Sequence, residues 1–328
     1  MLVHCLFGAK SSPSCASFAL RKVADDNETH ASPVTVLTVK RNFYVDNCLK
    51  SVKGVKEAIQ LIKELSMLLK TGGFHLMKYL NNCREVLSAI DHEDLDPRVK
   101  TLYLDNLFVD LPVNRTLGVF WNTENDEFEI KVELKQRPAT RRGILSMTSQ
   151  VFDPLGMVQL QILPAKKLMQ RLCQLNLGWY DKIPTDLESQ WTKWLHELPK
   201  LEAISIPRWF HPFSELNTVE LHCFCDDSAV GYGAVCYLRL VFRSAIHCSF
   251  VIGKSRVAPL KTVTIPRLEL CAATIAVKLA RLVRQELELT IDRTVFWTDS
   301  TSVLQYIMNT SCRFETFVAN RLAIILDG

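Results

Sequence analysis

The chain has 328 residues, 48% of them hydrophobic, and a formal net charge of only +4. That length allows two or three domains with real cores, and the mixed charge excludes an all-over polycation, so any basic surface has to be local. Eleven cysteines without a CxxC pair exclude a dense secreted disulfide framework, and Cys223 and Cys225, two apart in a strand-like run, lack a second pair for zinc.

The N-terminal stretch MLVHCLFGAKSSPSCASF lacks a charged leader followed by a long apolar core, and no segment approaches the ~20 apolar residues of a membrane span. The expectation is a soluble intracellular protein, cytoplasmic or nuclear, with free thiols and neither membrane nor disulfide-linked partners. Ser11-Ser12-Pro13 is a helix-start signal. TVLTVKRNFYV, rich in β-branched and aromatic residues, reads as a strand. A turn at Asp46-Asn47 would reverse it into CLKSV. Val55 to Lys70 carries Ala58, Ile59, Ile62, Leu65 and Leu69 at helical spacing and is stopped by Gly72-Gly73. GFHLMKYL reads as another strand, and RTLGVFWNTENDEFEIKVEL as a hairpin turning near Asn125-Asp126.

From Arg141 the texture becomes helical: GILSMTSQVF, AKKLMQRLCQL and DLESQWTKWLHEL, punctuated by Pro154-Leu155-Gly156 and Pro184. Trp191 and Trp194, three apart on a helix, suit core packing better than base stacking. IPRWF and HPFSELN read as a linker. From Val219 the pattern is strand, Gly turn, strand, strand, helix, strand, helix, an α/β unit of its own. Gly231 and Gly233 stand where a tight reversal is expected.

Three carboxylates in this last unit sit where elements meet. VELHCFCDDS runs as a strand into Asp226. TIPRLELCAATIAVKLARLVRQEL opens a helix with Glu269 just inside and a small-residue face of Ala272, Ala273, Ala276 and Ala280 below it. TVFWTDS ends in Asp299, with Ser300 and Thr301 offering a helix cap. Acids so placed can converge, and hard oxygen ligands suit Mg²⁺ or Mn²⁺. Taken singly, each is also an ordinary strand-end or cap residue.

FCDDSAVGYGAVCY, TIPRLELCAA and FWTDS resemble the three catalytic segments of the RNase H domain in Pao/BEL-type retrotransposon polyproteins. The resemblance implies Asp226, Glu269 and Asp299 as the catalytic, metal-holding acids, Mg²⁺ or Mn²⁺ as cofactor, and an RNA–DNA hybrid as partner. Asp227 departs from it, standing where a small residue is usual. It also implies a five-stranded mixed sheet, of which the residues here supply four strands, the later segment with the last strand and a fourth acid lying beyond Gly328.

Upstream, LFGAKSSPSCASFAL resembles the reverse-transcriptase segment that meets template and nucleotide, marked by Gly8, Ser12 and Pro13. FYVDN resembles the polymerase catalytic hairpin, with Asp46 kept and Asn47 in place of a second aspartate. RTLGVFW, with Leu117 and Gly118, resembles the primer-gripping hairpin. ILSMTSQVFDPLGM and LGWYDKIP resemble the region joining polymerase to RNase H. Lys135, Arg137, Arg141 and Arg142 could track a phosphate backbone, or equally form a solvated helix entry. The expected architecture is multidomain, α/β and α+β: a partial reverse-transcriptase palm over residues 1–135, a helical connection over 136–215, and an RNase H-like mixed sheet with flanking helices over 216–328. The expected function is hybrid binding with metal-dependent cleavage of the RNA strand, polymerase activity being lost. The alternative is a retroelement-derived nucleic-acid-binding or interaction protein without catalysis.

Overall fold

In the computed structural model, which describes residues 10–102, 109–116, 118–135, 137–210, 216–243, 245–309, 311 and 313–327, a serine–proline step opens each of the first two helices. Helix α1 is Ser12–Asp26 and α2 is Pro33–Arg41, each with proline in its first turn. Helix α2 replaces most of the strand expected over Thr35 to Val45. The Ser32 hydroxyl accepts from the Thr35 N–H, and Glu64 of the next helix accepts from both Ser32 Oγ (2.5 Å) and Thr35 Oγ1 (2.6 Å). Thr35, Val36, Thr38 and Val39 are buried on one side. Their spacing satisfies a helical face as well as a strand, and the cap with its tertiary partner overrides β-propensity.

Only Phe43–Tyr44 (β1) and Asn47–Cys48 (β2) pair as strands, with Val45 and Asp46 as the two-residue turn. The expected return strand CLKSV is thus reduced to its first residue, and the turn lies one residue earlier. Helix α3 (Val55–Thr71) ends at Gly72 as expected, but its buried seam runs through Ala58, Leu61, Leu65, Leu68 and Leu69, leaving Ile59 and Ile62 at the margins. The expected strand GFHLMKYL is extended chain with a single bridge, Tyr79 to Leu95, before the short helices α4 (Arg84–Ser88) and α5 (Pro97–Lys100). These elements form one compact unit, Met1–Val113 with Thr123–Asn125.

The second unit comprises Asn114–Asn122 and Asp126–Gly328. It begins with a four-stranded sheet in the order β3 (Val113–Thr116), β4 (Val119–Asn122), β5 (Glu127–Glu129), β6 (Ser205–Pro207). The hairpin β4–β5 is the expected one. Strand β6 corrects the expected linker at IPRWF. The Arg208 guanidinium donates to both oxygens of buried Asp126 (2.6 and 2.9 Å), which also accepts from the Trp121 indole (2.8 Å). A bidentate pair on a buried carboxylate is a strong local tie, and it pins Ile206 opposite Phe128.

Helices α6 (Arg141–Thr148), α7 (Gln159–Gln174) and α8 (Thr185–Glu197) share a core with Ile144, Met147 and Leu172. Trp191 and Trp194 belong to it, stacked at 5.0 Å, and the Trp194 indole donates to the Gln161 carbonyl (2.7 Å). The larger sheet follows: β7 (Leu216–Asp227), β8 (Gly231–Phe242), β9 (Ile246–Val257) and β10 (Arg293–Trp297), in the order β10-β7-β8-β9. Strands β7, β8 and β9 are antiparallel neighbours, and β10 lies parallel to β7. Helix α9 (Ile265–Glu286) covers one face, with α10 (Thr301–Met308) and α11 (Thr316–Leu326) beside it.

Gly231 and Gly233 do not make the expected reversal. Both lie within β8, where a Cβ would come within 2.8 Å of the Arg256 carbonyl or 2.7 Å of the Lys254 carbonyl, so closeness to β9 requires them. The turn itself rests on Ser228, whose N–H and hydroxyl donate to the Gly231 carbonyl.

The loop before α7 meets the β9 backbone directly. Gly253 donates to the Leu155 carbonyl (2.7 Å), and Gly156, at φ +79°, leaves a Cβ only 2.0 Å from the Gly253 carbonyl. An alanine there meets both a left-handed backbone and a clash, together costing about 2–4 kcal/mol. Gly156→Ala is therefore expected to lower the unfolding free energy of the second unit, read from urea titration, by that amount; a loss below about 0.5 kcal/mol would refute this packing.

Candidate active site

Register brings two acids together. Trp297 of β10 pairs with Phe224 of β7 in parallel, so Asp299 and Asp226 each lie two residues past the same rung, on neighbouring chains whose spacing is about 4.8 Å. Glu269 comes from the first turns of α9. The buried Ala272, Ala273, Ala276 and Ala280 let that helix lie close on β7 and β8. Ser300 then ties helix to strand end: its hydroxyl donates to Glu269 Oε2 (2.5 Å) and accepts from the Val303 N–H (3.1 Å), capping α10. The sequence shows Ser300 as a cap; its second role depends on tertiary geometry.

Asp226 is exposed, and its Oδ1 accepts from the Asp227 N–H (2.7 Å). Asp227 follows the buried alternation Val219, Leu221, Cys223, Cys225 and so lies on the face that carries α9. Its Oδ2 is sealed from solvent and has no partner among the described residues, although the residue as a whole stays partly open. Burial, then Glu269, Asp226 and Asp299 in turn, push its carboxyl up to about 6. Three carboxylates thus act on Asp227 at this end of the sheet. The strand parity that turns Asp227 inward was legible in the sequence.

An all-oxygen donor set with an unpartnered buried oxygen fits a hard divalent cation in kind. Among the described residues, however, no three His, Cys, Asp or Glu side chains are gathered tightly enough to enclose an ion. Glu269 is held by Ser300 instead.

The residues singled out upstream are placed differently. Ser12 and Pro13 form the first turn of α1, while Gly8 and Leu117 lie outside the described residues. Asp46 and Asn47 are exposed on the β1–β2 hairpin, where the Asn47 amide donates to Asp46 Oδ1 (3.3 Å). Gly118, at φ +87°, leaves a Cβ 2.5 Å from the Phe152 ring. The Arg141 guanidinium lies over Trp179 and donates to the Leu177 carbonyl and the Cys173 sulfur; Arg142 donates to the Tyr180 hydroxyl (2.6 Å). Both arginines have internal structural partners.

Three antiparallel strands, a parallel fourth and an acid-bearing helix across one face make this the RNase H-like class of fold. Residues 140–300 match the family described as the Pao retrotransposon-like RNaseH-like domain, a stretch that holds all four acids. A solved structure, the foamy viral protease-reverse transcriptase dRH in complex with double-stranded DNA, matches at 12% identity with a TM-score of 0.53. The match covers 97% of this chain and 47% of that one, so this chain spans about half its length. At that identity the likeness speaks for the fold. No curated protein matches. The family match agrees with the Pao likeness that the motifs implied, and the structural match agrees with the fold.

The raised Asp227 carboxyl has a signed consequence. In the unfolded chain it titrates near 3.8, in the folded chain near 6. Below the lower value both states are protonated; as pH rises to the upper one the unfolded state ionises first, and stability falls. Asp227→Asn should therefore raise the Tm at pH 7–8 in the presence of chelator and converge with the parent near pH 4, the direction given by those two values. A lower Tm for the variant at neutral pH would contradict the assignment.

Proposed function

We propose that this chain binds RNA–DNA hybrids through its RNase H-like sheet and cleaves the RNA strand with the help of divalent metal. The observation that supports this is the shared end of β7, β10 and α9, to which Asp226, Asp299 and Glu269 each belong, with Ser300 tying Glu269 to the chain just after Asp299. Asp226, Glu269 and Asp299 would hold Mg²⁺ or Mn²⁺. When bound, such ions activate water and stabilise the leaving oxygen of a phosphodiester. Ser300 positions Glu269, and Asp227 adds negative charge beside the site. The hybrid would be recognised by shape, backbone and 2′-hydroxyl contacts. The reading includes the wider parsing into a partial palm (1–135), a connection (136–215) and an RNase H-like domain (216–328).

In an Mg²⁺- or Mn²⁺-dependent cleavage assay on a labelled hybrid, Asp226→Asn, Glu269→Gln and Asp299→Asn should each lower the rate by at least about 100-fold, with double variants no worse, because the groups act as a unit. Single variants that cut as fast as the parent would overturn the site. Binding without cleavage is the second reading, favoured by the loose spacing of the carboxylates. A parent that binds hybrid but cuts nothing in millimolar Mn²⁺ would establish it.

Polymerase activity is not proposed. An amide at Asn47 keeps the shape of a turn but gives up a metal-binding charge. Asn47→Asp alone should give no primer extension above background, since a single restored acid does not complete a two-metal site.

A further inference from the structure

A cavity of about 390 Å³ lies between β9 and α9, and four cations line it: Lys254 and Arg256 from the strand, Lys278 and Arg281 from the helix. No carboxylate does. The chain as a whole carries a net charge of only +4, so four cations in one groove are a local concentration. Arg281 is anchored, donating to the Ile324 carbonyl (3.1 Å). Lys254, Arg256 and Lys278 are exposed and make no ion pair with any described residue. Like charges kept together without counter-ions repel one another, and an anion entering the groove relieves that repulsion. Between them the floor is aliphatic, with Ile275 and Leu279.

The groove is also placed in register with the acids. Asp227 pairs with Tyr232, and Tyr232 with Arg256. Arg256 is therefore on the Asp227 rung, two strands away, about 10 Å at ordinary strand spacing. Lys278 is nine residues beyond Glu269 on the same helix, a rise of roughly 13 Å and about two and a half turns, so Lys278 faces β9 while Glu269 faces Ser300 on the other side. Arg256 is the cation that links the groove to the sheet end, and a backbone several nucleotides long that passes it reaches both.

We infer that the α9–β9 groove is a phosphodiester-backbone site, holding a flanking stretch of the same nucleic acid whose scissile bond lies at the sheet end. This deepens the hybrid-binding reading and rests on it. The ligand class is the sugar–phosphate chain: cations for the phosphates and an aliphatic floor for the sugars, with Gln285 completing the lining. Phosphate contacts of this kind contribute affinity and register.

The test is fluorescence anisotropy of a labelled RNA–DNA hybrid with the full chain and with the triple variant Lys254→Gln, Arg256→Gln, Lys278→Gln. All three side chains are exposed, so thermal unfolding should be unchanged; the single variant Lys278→Gln serves if the triple does not fold. Each lost phosphate contact removes about 0.9 from the slope of log affinity against log salt, so the triple variant should be shallower by about 2–3 and bind about 10–100-fold more weakly near 50 mM salt. In cleavage the apparent KM should rise by the same factor while kcat holds. Unchanged slope and affinity, with the parent still binding hybrid, would overturn the groove and leave the hybrid reading intact. A parent that binds no hybrid would remove both. Tight binding of the parent to polyglutamate that hybrid cannot displace would instead assign the groove to an acidic protein partner.

Discussion

How closely helix α9 can approach the sheet decides where everything else in the second unit stands. Ala272, Ala273, Ala276 and Ala280 alternate with the bulkier Ile275, Leu279 and Val283 on the buried side of the helix, and the sheet contributes Leu221, Cys223, Cys225, Ala234, Cys236 and Leu238 to the same core. Small side chains on a helix shorten the distance to its neighbour, and the sheet supplies the apolar volume. A larger residue at any of these alanines would lift the helix, and with it Glu269, away from the strand ends. The same approach sets the width of the groove on the far side, where Lys278 and Arg281 face β9. Acids and cations are thus spaced by one packing distance.

The charges at the two ends of that helix complement each other. At its start, carboxylates repel, and the burial of Asp227 sharpens the repulsion. Further along, Lys254, Arg256 and Lys278 stand close together with no ion pair to any described residue. A polyanion accompanied by divalent ions would satisfy both at once, since the ions meet the carboxylates and the phosphates meet the cations.

Much of this was legible in the residues. The order strand, strand, strand, helix, strand, helix from Val219 was, as were the position of Glu269 in the first turns of α9 and the hairpin turning at Asp126. What failed did so for identifiable reasons. The β-branched run at Thr35 is helical because Ser32 caps it and Glu64, nearly thirty residues away, gathers two of its hydroxyls. IPRWF pairs as a strand because Arg208 finds Asp126 across 82 residues of sequence. Gly231 and Gly233 serve close strand contact where a reversal was expected, a distinction that depends on what lies beside them. The Ser300–Glu269 bond is likewise a contact between segments, and the local pattern shows only its capping half.

The meeting of Gly156 and Gly253 bears on how such a chain can be divided. Composition changes near residue 216, yet the helical stretch and the large sheet touch backbone to backbone there, reinforced by Gln170 to Ala258 and Ser255 to Gln159. A cut between them would leave the Gly253 N–H of β9 without its Leu155 partner. The inheritable piece is therefore the pair: a retroelement that exchanges its RNase H-like sheet by recombination would have to carry the preceding helices along, or receive others with a glycine at the same crossing.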